Sequence, residues 1–167
     1  MVLRGHWMRL SIQDAVHMYK DNVFRAAYYI CKNRPDAEDI CQETFLAYFK
    51  DSTEFESEEH VKAWLLRTAI NRSRSLFRQL WRRNTEPLEE YMQFTEEKKD
   101  SYADLLSAVL SLPARCRTIV HLFYYEDYKI REISQLLGIS EGAVKSQLNR
   151  GRALLKEKLQ EEWNDEE

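Results

Sequence analysis

The chain has 167 residues, 44% of them hydrophobic and 32% charged, and a formal net charge of −3. That length suits one ordinary domain or two small ones, and the composition supports a water-facing protein with a real core. No apolar run approaches the roughly eighteen residues of a membrane span, and the start, MVLRGHWMRL, lacks the apolar stretch of a signal peptide. A cytoplasmic protein without membrane insertion is expected. Cys31, Cys41 and Cys116 form no CxxC pair and have no histidine at ligand spacing, so reduced buried thiols are expected rather than zinc ligands or disulfides.

The small net charge hides strong segregation. Between Trp64 and Arg83 lie Arg67, Arg72, Arg74, Arg78, Arg82 and Arg83 without one acid, whereas acids dominate from Asp51 to Glu59 and from Glu86 to Asp104. Such blocks point to a basic surface for a polyanion and acidic segments for another partner.

Only four glycines and three prolines punctuate the chain, and no strand-like alternation persists, which predicts an all-α protein. A first helix is expected over about Ser11 to Lys32, its apolar face formed by Ala15, Met18, Tyr19, Val23, Ala26, Ala27 and Ile30. Asn33-Arg34-Pro35 ends it, and Asp36 is expected to cap a second helix. There Ala37, Ile40, Cys41, Thr44, Phe45 and Tyr48 make the core stripe, leaving Asp36, Asp39, Gln42 and Glu43 on the other side. A third helix, from about Glu59 to Trp81, turns Val61, Leu65, Thr68, Ala69 and Leu76 inward and its arginines outward.

Asn84 to Asp100 reads as a linker of mixed charge with sparse apolar residues. Beyond it, Leu105, Leu106, Val109 and Leu110 predict a short helix ended by Leu112-Pro113, and Ile119, Val120, Phe123 and Tyr124 predict another. The expected organisation is two small helical domains, 1–83 and 101–167, on an acidic tether, 84–100.

Lys129 to Lys158 reads as two helices around a tight turn. Ile130, Ile133 and Leu137 define the buried stripe of the first, Gly138 can adopt the positive φ that ends it, and Ser140 is a good cap for the next. In the second, Val144, Leu148, Gly151 and Leu155 share one face, and Gly142, Lys145, Ser146, Asn149 and Arg150 share the other. On spacing alone this is equally an ordinary helical hairpin. The outward chemistry favours a helix-turn-helix, because Lys, Arg, Asn and Ser reach base edges and phosphates.

Several motifs together resemble one family. Asp36-Ala37-Glu38-Asp39-Ile40-Cys41-Gln42-Glu43-Thr44-Phe45 is followed by Ala63-Trp64-Leu65-Leu66-Arg67-Thr68-Ala69-Ile70-Asn71. Leu112-Pro113, Arg131-Glu132-Ile133-Ser134, Gly142-Ala143-Val144-Lys145-Ser146 and Arg150-Gly151-Arg152 come later. In this order and at these separations they are similar to the extracytoplasmic-function sigma factors of bacterial RNA polymerase, over about Leu10 to Leu159.

The resemblance implies a promoter-specificity subunit. It places Asp36, Asp39, Gln42 and Glu43 on the clamp helices of the polymerase's largest subunit. It lays Arg67, Asn71, Arg72, Arg74 and Arg78 along the −10 promoter element, with the preceding loop holding an unstacked base of the non-template strand. Trp64 is expected to anchor the core rather than to stack on DNA. At the −35 element it sets Lys145, Ser146, Asn149 and Arg150 on base edges, and Arg152 and Lys156 on phosphates. It also implies an anti-sigma factor covering the polymerase-binding surfaces, and a linker threading toward the active-site and RNA-exit channels.

The sequence departs from the family pattern in places. The loop Glu54-Phe55-Glu56-Ser57-Glu58-Glu59-His60 is unusually acidic for a surface that meets DNA; its carboxylates either point away or accept a bond from a base. Ala143 stands where the family has Thr, Gln147 where it has Arg and Gly151 where it has Ala, which predicts a lost phosphate contact and a looser recognition helix, although a mid-helix glycine, at a cost of ~1 kcal/mol relative to Ala, is also expected where helices pack closely. The alternative is a stand-alone helix-turn-helix regulator, which would need a dimer interface and leave the first domain idle. No motif of a nucleophile–base pair, phosphate loop or metal cluster is present, so neither enzyme activity, a cofactor nor a small-molecule substrate is expected.

Overall fold

The computed structural model describes residues 6–83 and 101–165. Among them are seven α-helices: α1 (Ile12–Cys31), α2 (Arg34–Lys50), α3 (Glu58–Arg83), α4 (Ser101–Leu110), α5 (Ala114–Val120), α6 (Ile130–Leu137) and α7 (Glu141–Asp165). The fold is all-α, and it falls into two units, Met1–Thr85 and Glu86–Glu167. The linker expected over 84–100 lies outside the described residues.

In the first unit α1, α2 and α3 pack pairwise. Ser11 Oγ accepts the Asp14 N–H at 3.1 Å and starts α1. Asp36 does not cap α2, contrary to the pattern reading. Asn33 does, its Oδ1 accepting the Asp36 N–H at 3.0 Å. The reason is Pro35: with φ already helical and no N–H to satisfy, it belongs inside the first turn, so the cap lies ahead of it. Asp36 then sits in that first turn, where a carboxylate faces the positive end of the helix dipole.

All six residues of the predicted α2 stripe are buried. In α3, Val61, Leu65 and Ala69 are buried as expected and Thr68 and Leu76 half-buried, but Leu66, Ile70 and Ser73 are buried as well. A helix that packs against two neighbours needs a wider apolar arc than one stripe provides. Trp64 is half-buried, its ring edge-on to Tyr48 and Phe55 with centroids 5.8 and 6.4 Å away. It closes the core beside the α2–α3 connection.

In the second unit, the end of α4 is held by a buried arginine. Arg117 Nη1 donates to Leu110 O at 3.1 Å and to Leu112 O at 2.8 Å, which satisfies carbonyls that a helix terminus otherwise orphans. The helix expected to carry Ile119, Val120, Phe123 and Tyr124 on one stripe departs from α spacing. After α5 the chain widens into a π turn over His121–Tyr125, where the Glu126 N–H reaches back to His121 O at 3.2 Å. The inserted register turns His121 and Leu122 inward and leaves Tyr124 55% exposed and Phe123 half-buried.

The turn between α6 and α7 follows the sequence closely. Gly138 adopts φ +66°, and its N–H and that of Ile139 both donate to Ser134 O, at 3.0 and 3.2 Å. Ser134 Oγ donates to Ile139 O at 2.5 Å. Ser140 Oγ caps α7 by accepting the Ala143 N–H at 3.1 Å. On α6 the buried pair is Ile133 and Leu136, while Ile130 and Leu137 are half-buried. The stripe is therefore one residue off the reading, because α6 packs on both α7 and the π turn.

Candidate nucleic-acid interface

In the second unit, the exposed side of α7 is built by its own periodicity. Val144, Leu148 and Gly151 are buried, and at 100° per residue this turns Lys145, Ser146, Asn149 and Arg150 outward, all four exposed. Glu141, at the helix start, is the one acid between Ser140 and Lys156. Exposed Lys156 continues the basic character further along the helix.

Arg152 is exposed but positioned. Its Nε donates to Tyr124 Oη at 2.6 Å, its Nη1 donates to Asn149 Oδ1 at 3.3 Å, and its guanidinium carbon lies 5.4 Å from the Phe123 ring centre. The π turn thus presents an aromatic rest for a cation of the helix, a contact invisible to helical periodicity. Gln147 is not an empty phosphate position. It is half-buried and accepts from Cys116 Sγ at 3.2 Å, which ties α7 to α5. Gly151 tightens this helix rather than loosening it: a Cβ there would lie 2.8 Å from Val120 Cγ2, so the glycine is what lets α7 approach α5.

In the first unit, Arg67, Asn71, Arg74 and Arg78 of α3 recur at intervals of four and three residues and so share one helix face, about 16 Å long. Arg67, Asn71 and Arg78 are exposed and Arg74 is half-buried. Arg72 departs from this row. One residue past Asn71, it turns toward α2 and pairs with Glu43, Nη1 to Oε2 at 3.1 Å. Two residues assigned from sequence to different partners therefore meet each other.

On α2, Asp39, Gln42 and Glu43 are exposed and Asp36 is half-buried. Burial first, and then the neighbouring Asp39 charge, raises the Asp36 carboxyl above its ordinary value. The sequence reading missed that this strip continues into Leu46, 51% exposed, and Phe49, 66% exposed. Each follows a core residue, Phe45 or Tyr48, by one position, which places it 100° off the buried stripe; that offset was the available signal. Beside them a groove of about 430 Å³ runs between α1 and α2, lined by Ile12, Val16, Phe45, Leu46 and Phe49 among others. An acidic strip edged by exposed apolar side chains suits a basic, partly apolar protein surface.

Residues 15–83 match the Sigma-70 region 2 family and residues 102–155 the Sigma-70 region 4 family. The chain is 31% identical over 151 residues to the RNA polymerase sigma factor SigV of Bacillus subtilis, covering 86% of this chain and 88% of that one. It is 28% identical over 168 residues to the ECF RNA polymerase sigma factor SigW of the same organism, covering 90% of each. The chain belongs to the extracytoplasmic-function sigma factors of RNA polymerase.

The fold agrees with that of solved structures. RpoE from Bartonella quintana, determined with the anti-sigma factor NepR, superposes with a TM-score of 0.71 at 22% identity, covering 89% of this chain and 96% of that one. CnrH, determined with the cytosolic domain of CnrY, superposes with a TM-score of 0.64 at 24% identity, covering 89% and 87%. In this sigma factor the row Arg67, Asn71, Arg74, Arg78 lies within the region 2 match, and the exposed face of α7 within the region 4 match. Family membership also gives the first unit the role that a stand-alone regulator would have left vacant. No described helix is long and apolar enough to cross a membrane.

Proposed function

We propose that this sigma factor directs core RNA polymerase to promoters by reading the −35 element with the outward face of α7. Lys145, Ser146, Asn149 and Arg150 contact base edges, while Arg152 and Lys156 contact phosphates. The observation that carries this reading is the exposure of those four donors on a helix capped by Ser140 and pinned from behind through Gln147 and Gly151. A base-reading surface must be rigid to discriminate, and this one is braced on its hidden side.

The −10 element is bound by α3, with Arg67, Arg74 and Arg78 neutralising phosphates and Asn71 near the bases. Arg72 also neutralises a phosphate, from beside this row, where Glu43 holds it. The connection between α2 and α3 receives an unstacked base and so assists melting. Asp36, Asp39, Gln42 and Glu43, extended by Leu46 and Phe49, dock on the clamp helices of the polymerase's largest subunit. An anti-sigma factor covers this same strip; that such a partner exists is supported by RpoE, which was determined with the anti-sigma factor NepR. The protein works in the cytoplasm, where polymerase and promoter are, and performs no catalysis itself.

A pull-down of core RNA polymerase by the purified chain, repeated with Asp39 and Gln42 both replaced by Ala, tests the docking strip. Binding that weakens in the double variant is the expected result. Absence of core binding by the unaltered chain, with any anti-sigma factor removed, would overturn the reading.

A further inference from the structure

Residues 6–10 precede α1 and are strapped onto the acidic connection between α2 and α3. The Met8 N–H donates to Phe55 O at 2.7 Å and the Phe55 N–H donates back to Met8 O at 2.8 Å, a short antiparallel bridge. Arg9 supplies a side-chain clamp. Its Nη1 donates to Thr53 O at 2.6 Å and its Nη2 to Tyr48 O, and its guanidinium carbon lies 4.2 Å from the centre of the Tyr48 ring. Tyr48 Oη donates to Leu10 O at 2.8 Å, so the strap and the end of α2 hold each other.

The connection is also tied internally. Asp51 Oδ1 accepts the Thr53 N–H at 2.6 Å, and the Phe55 side chain is buried against Tyr48 and Trp64. Asp51, Thr53 and Phe55 are thus fixed, while Ser52, Thr53, Glu54 and Glu56 stay exposed. Ordering a loop residue costs about 1–2 kcal/mol, and a ligand meeting a loose loop must supply that free energy from its contacts. A loop ordered beforehand by a guanidinium fork across two carbonyls leaves the contacts available for discrimination.

We propose that Arg9 is a positioning residue for −10 recognition: by tying Thr53 to the end of α2, it presets the Ser52–Glu56 surface that receives an unstacked base. The inference rests on the reading above that this connection meets the −10 element. A purely architectural role fits Arg9 poorly. Within the core that includes Ala15, Val23, Ile40, Tyr48, Leu65 and Ala69, Arg9 lies over the Tyr48 ring at the end of α2, while the three helices supply the rest of the packing. Releasing Arg9 should therefore free the loop and spare the bundle.

The experiment compares polymerase holoenzymes carrying the unaltered chain, Arg9→Ala, Met8→Pro or a Ser52→Ala/Glu54→Ala loop variant. Met8→Pro removes the N–H donated to Phe55 O and provides a second route if Arg9→Ala fails to fold. Open-complex formation is measured on promoters with single substitutions in the −10 or the −35 element, alongside affinity for core. A mismatched position normally costs on the order of ten-fold or more in affinity. Arg9→Ala and Met8→Pro are expected to flatten −10 discrimination toward equality while −35 discrimination and core affinity hold. Unchanged −10 discrimination in both strap variants, with the loop variant altered, overturns the role of Arg9 and leaves the loop reading standing. No change in the loop variant either removes the loop reading, and this inference with it. An equal loss at both elements would mark Arg9 as a folding residue and also overturn the proposal.

Discussion

Gly151 and Val120 are in contact so close that no side chain fits between them: a Cβ at position 151 would stand 2.8 Å from Val120 Cγ2 and 3.6 Å from Cys116 Cβ. Val120 is buried and β-branched, so it has little freedom to yield. Gly151→Ala should therefore destabilise the second unit despite the ~1 kcal/mol gained in helix propensity, because overpacking costs about 1–3 kcal/mol. Val120→Ala in the same chain should relieve the clash. Thermal melts of the two single variants and the double variant check this: a double variant as unstable as the sum would show that the sites do not couple.

Gln147 and Lys145 lie two positions apart on α7 and should respond in opposite ways. Lys145→Ala and Arg150→Ala are expected to relax −35 specificity at one position each, at a cost of about 1–3 kcal/mol, with stability unchanged. Gln147→Ala loses the Cys116 contact and should lower stability while leaving −35 specificity alone. Transcription from a set of −35 variants, paired with melting curves, separates the two effects. Uniform loss over every promoter would instead assign Lys145 and Arg150 to phosphates.

Arg117 is buried and gives hydrogen bonds to Leu110 O and Leu112 O. Arg117→Met preserves much of the packing but leaves those carbonyls without this donor, at roughly 1–3 kcal/mol for each one left unsatisfied. Urea unfolding of the second unit should shift to a lower midpoint, and hydrogen exchange should rise first near Leu112. A midpoint equal to that of the unaltered chain would show that the methionine's packing offsets the lost bonds.

The Asp51 carboxyl is held below its ordinary value of 3.8 by the Thr53 hydroxyl, then the Thr53 N–H, with a smaller contribution from the Arg9 charge. A depressed carboxyl contributes stability that is complete above its ordinary value and lost as pH falls through the folded value. The bridge between Met8 and Phe55 should accordingly loosen only below about pH 4. Amide exchange at Phe55, followed from neutral to acid, should rise in that window. In Asp51→Asn the same rise should vanish, leaving a flatter profile; an unchanged profile would exclude Asp51 as its source.

The sequence carried most of the fold. Helix existence, the α2 stripe, the Gly138 turn and the Ser140 cap all follow from local spacing and local hydrogen bonding, which a chain expresses without reference to distant residues. The buried residues outside the predicted stripes share one cause. Leu66, Ile70 and Leu136 lie outside the stripes that spacing predicts because each helix packs on two neighbours, and the number of neighbours is not a local property. The cap of α2 moved from Asp36 to Asn33 for a local reason, the preference of Pro35 for the first turn.

For the candidate interfaces the division is sharper. Periodicity alone determined that Lys145, Ser146, Asn149 and Arg150 share a face, and motif order alone pointed to a sigma factor. Only tertiary structure decided that Arg72 pairs with Glu43, that Gln147 turns to Cys116, that Arg152 rests on Phe123 and Tyr124, and that Arg9 clamps Thr53. Each is a contact between residues 28 or more positions apart, apart from Arg152 with its neighbour Asn149. Helical geometry sets where a side chain points from its own backbone, but which group it meets there depends on how separate helices pack, and that is settled only when the core is closed.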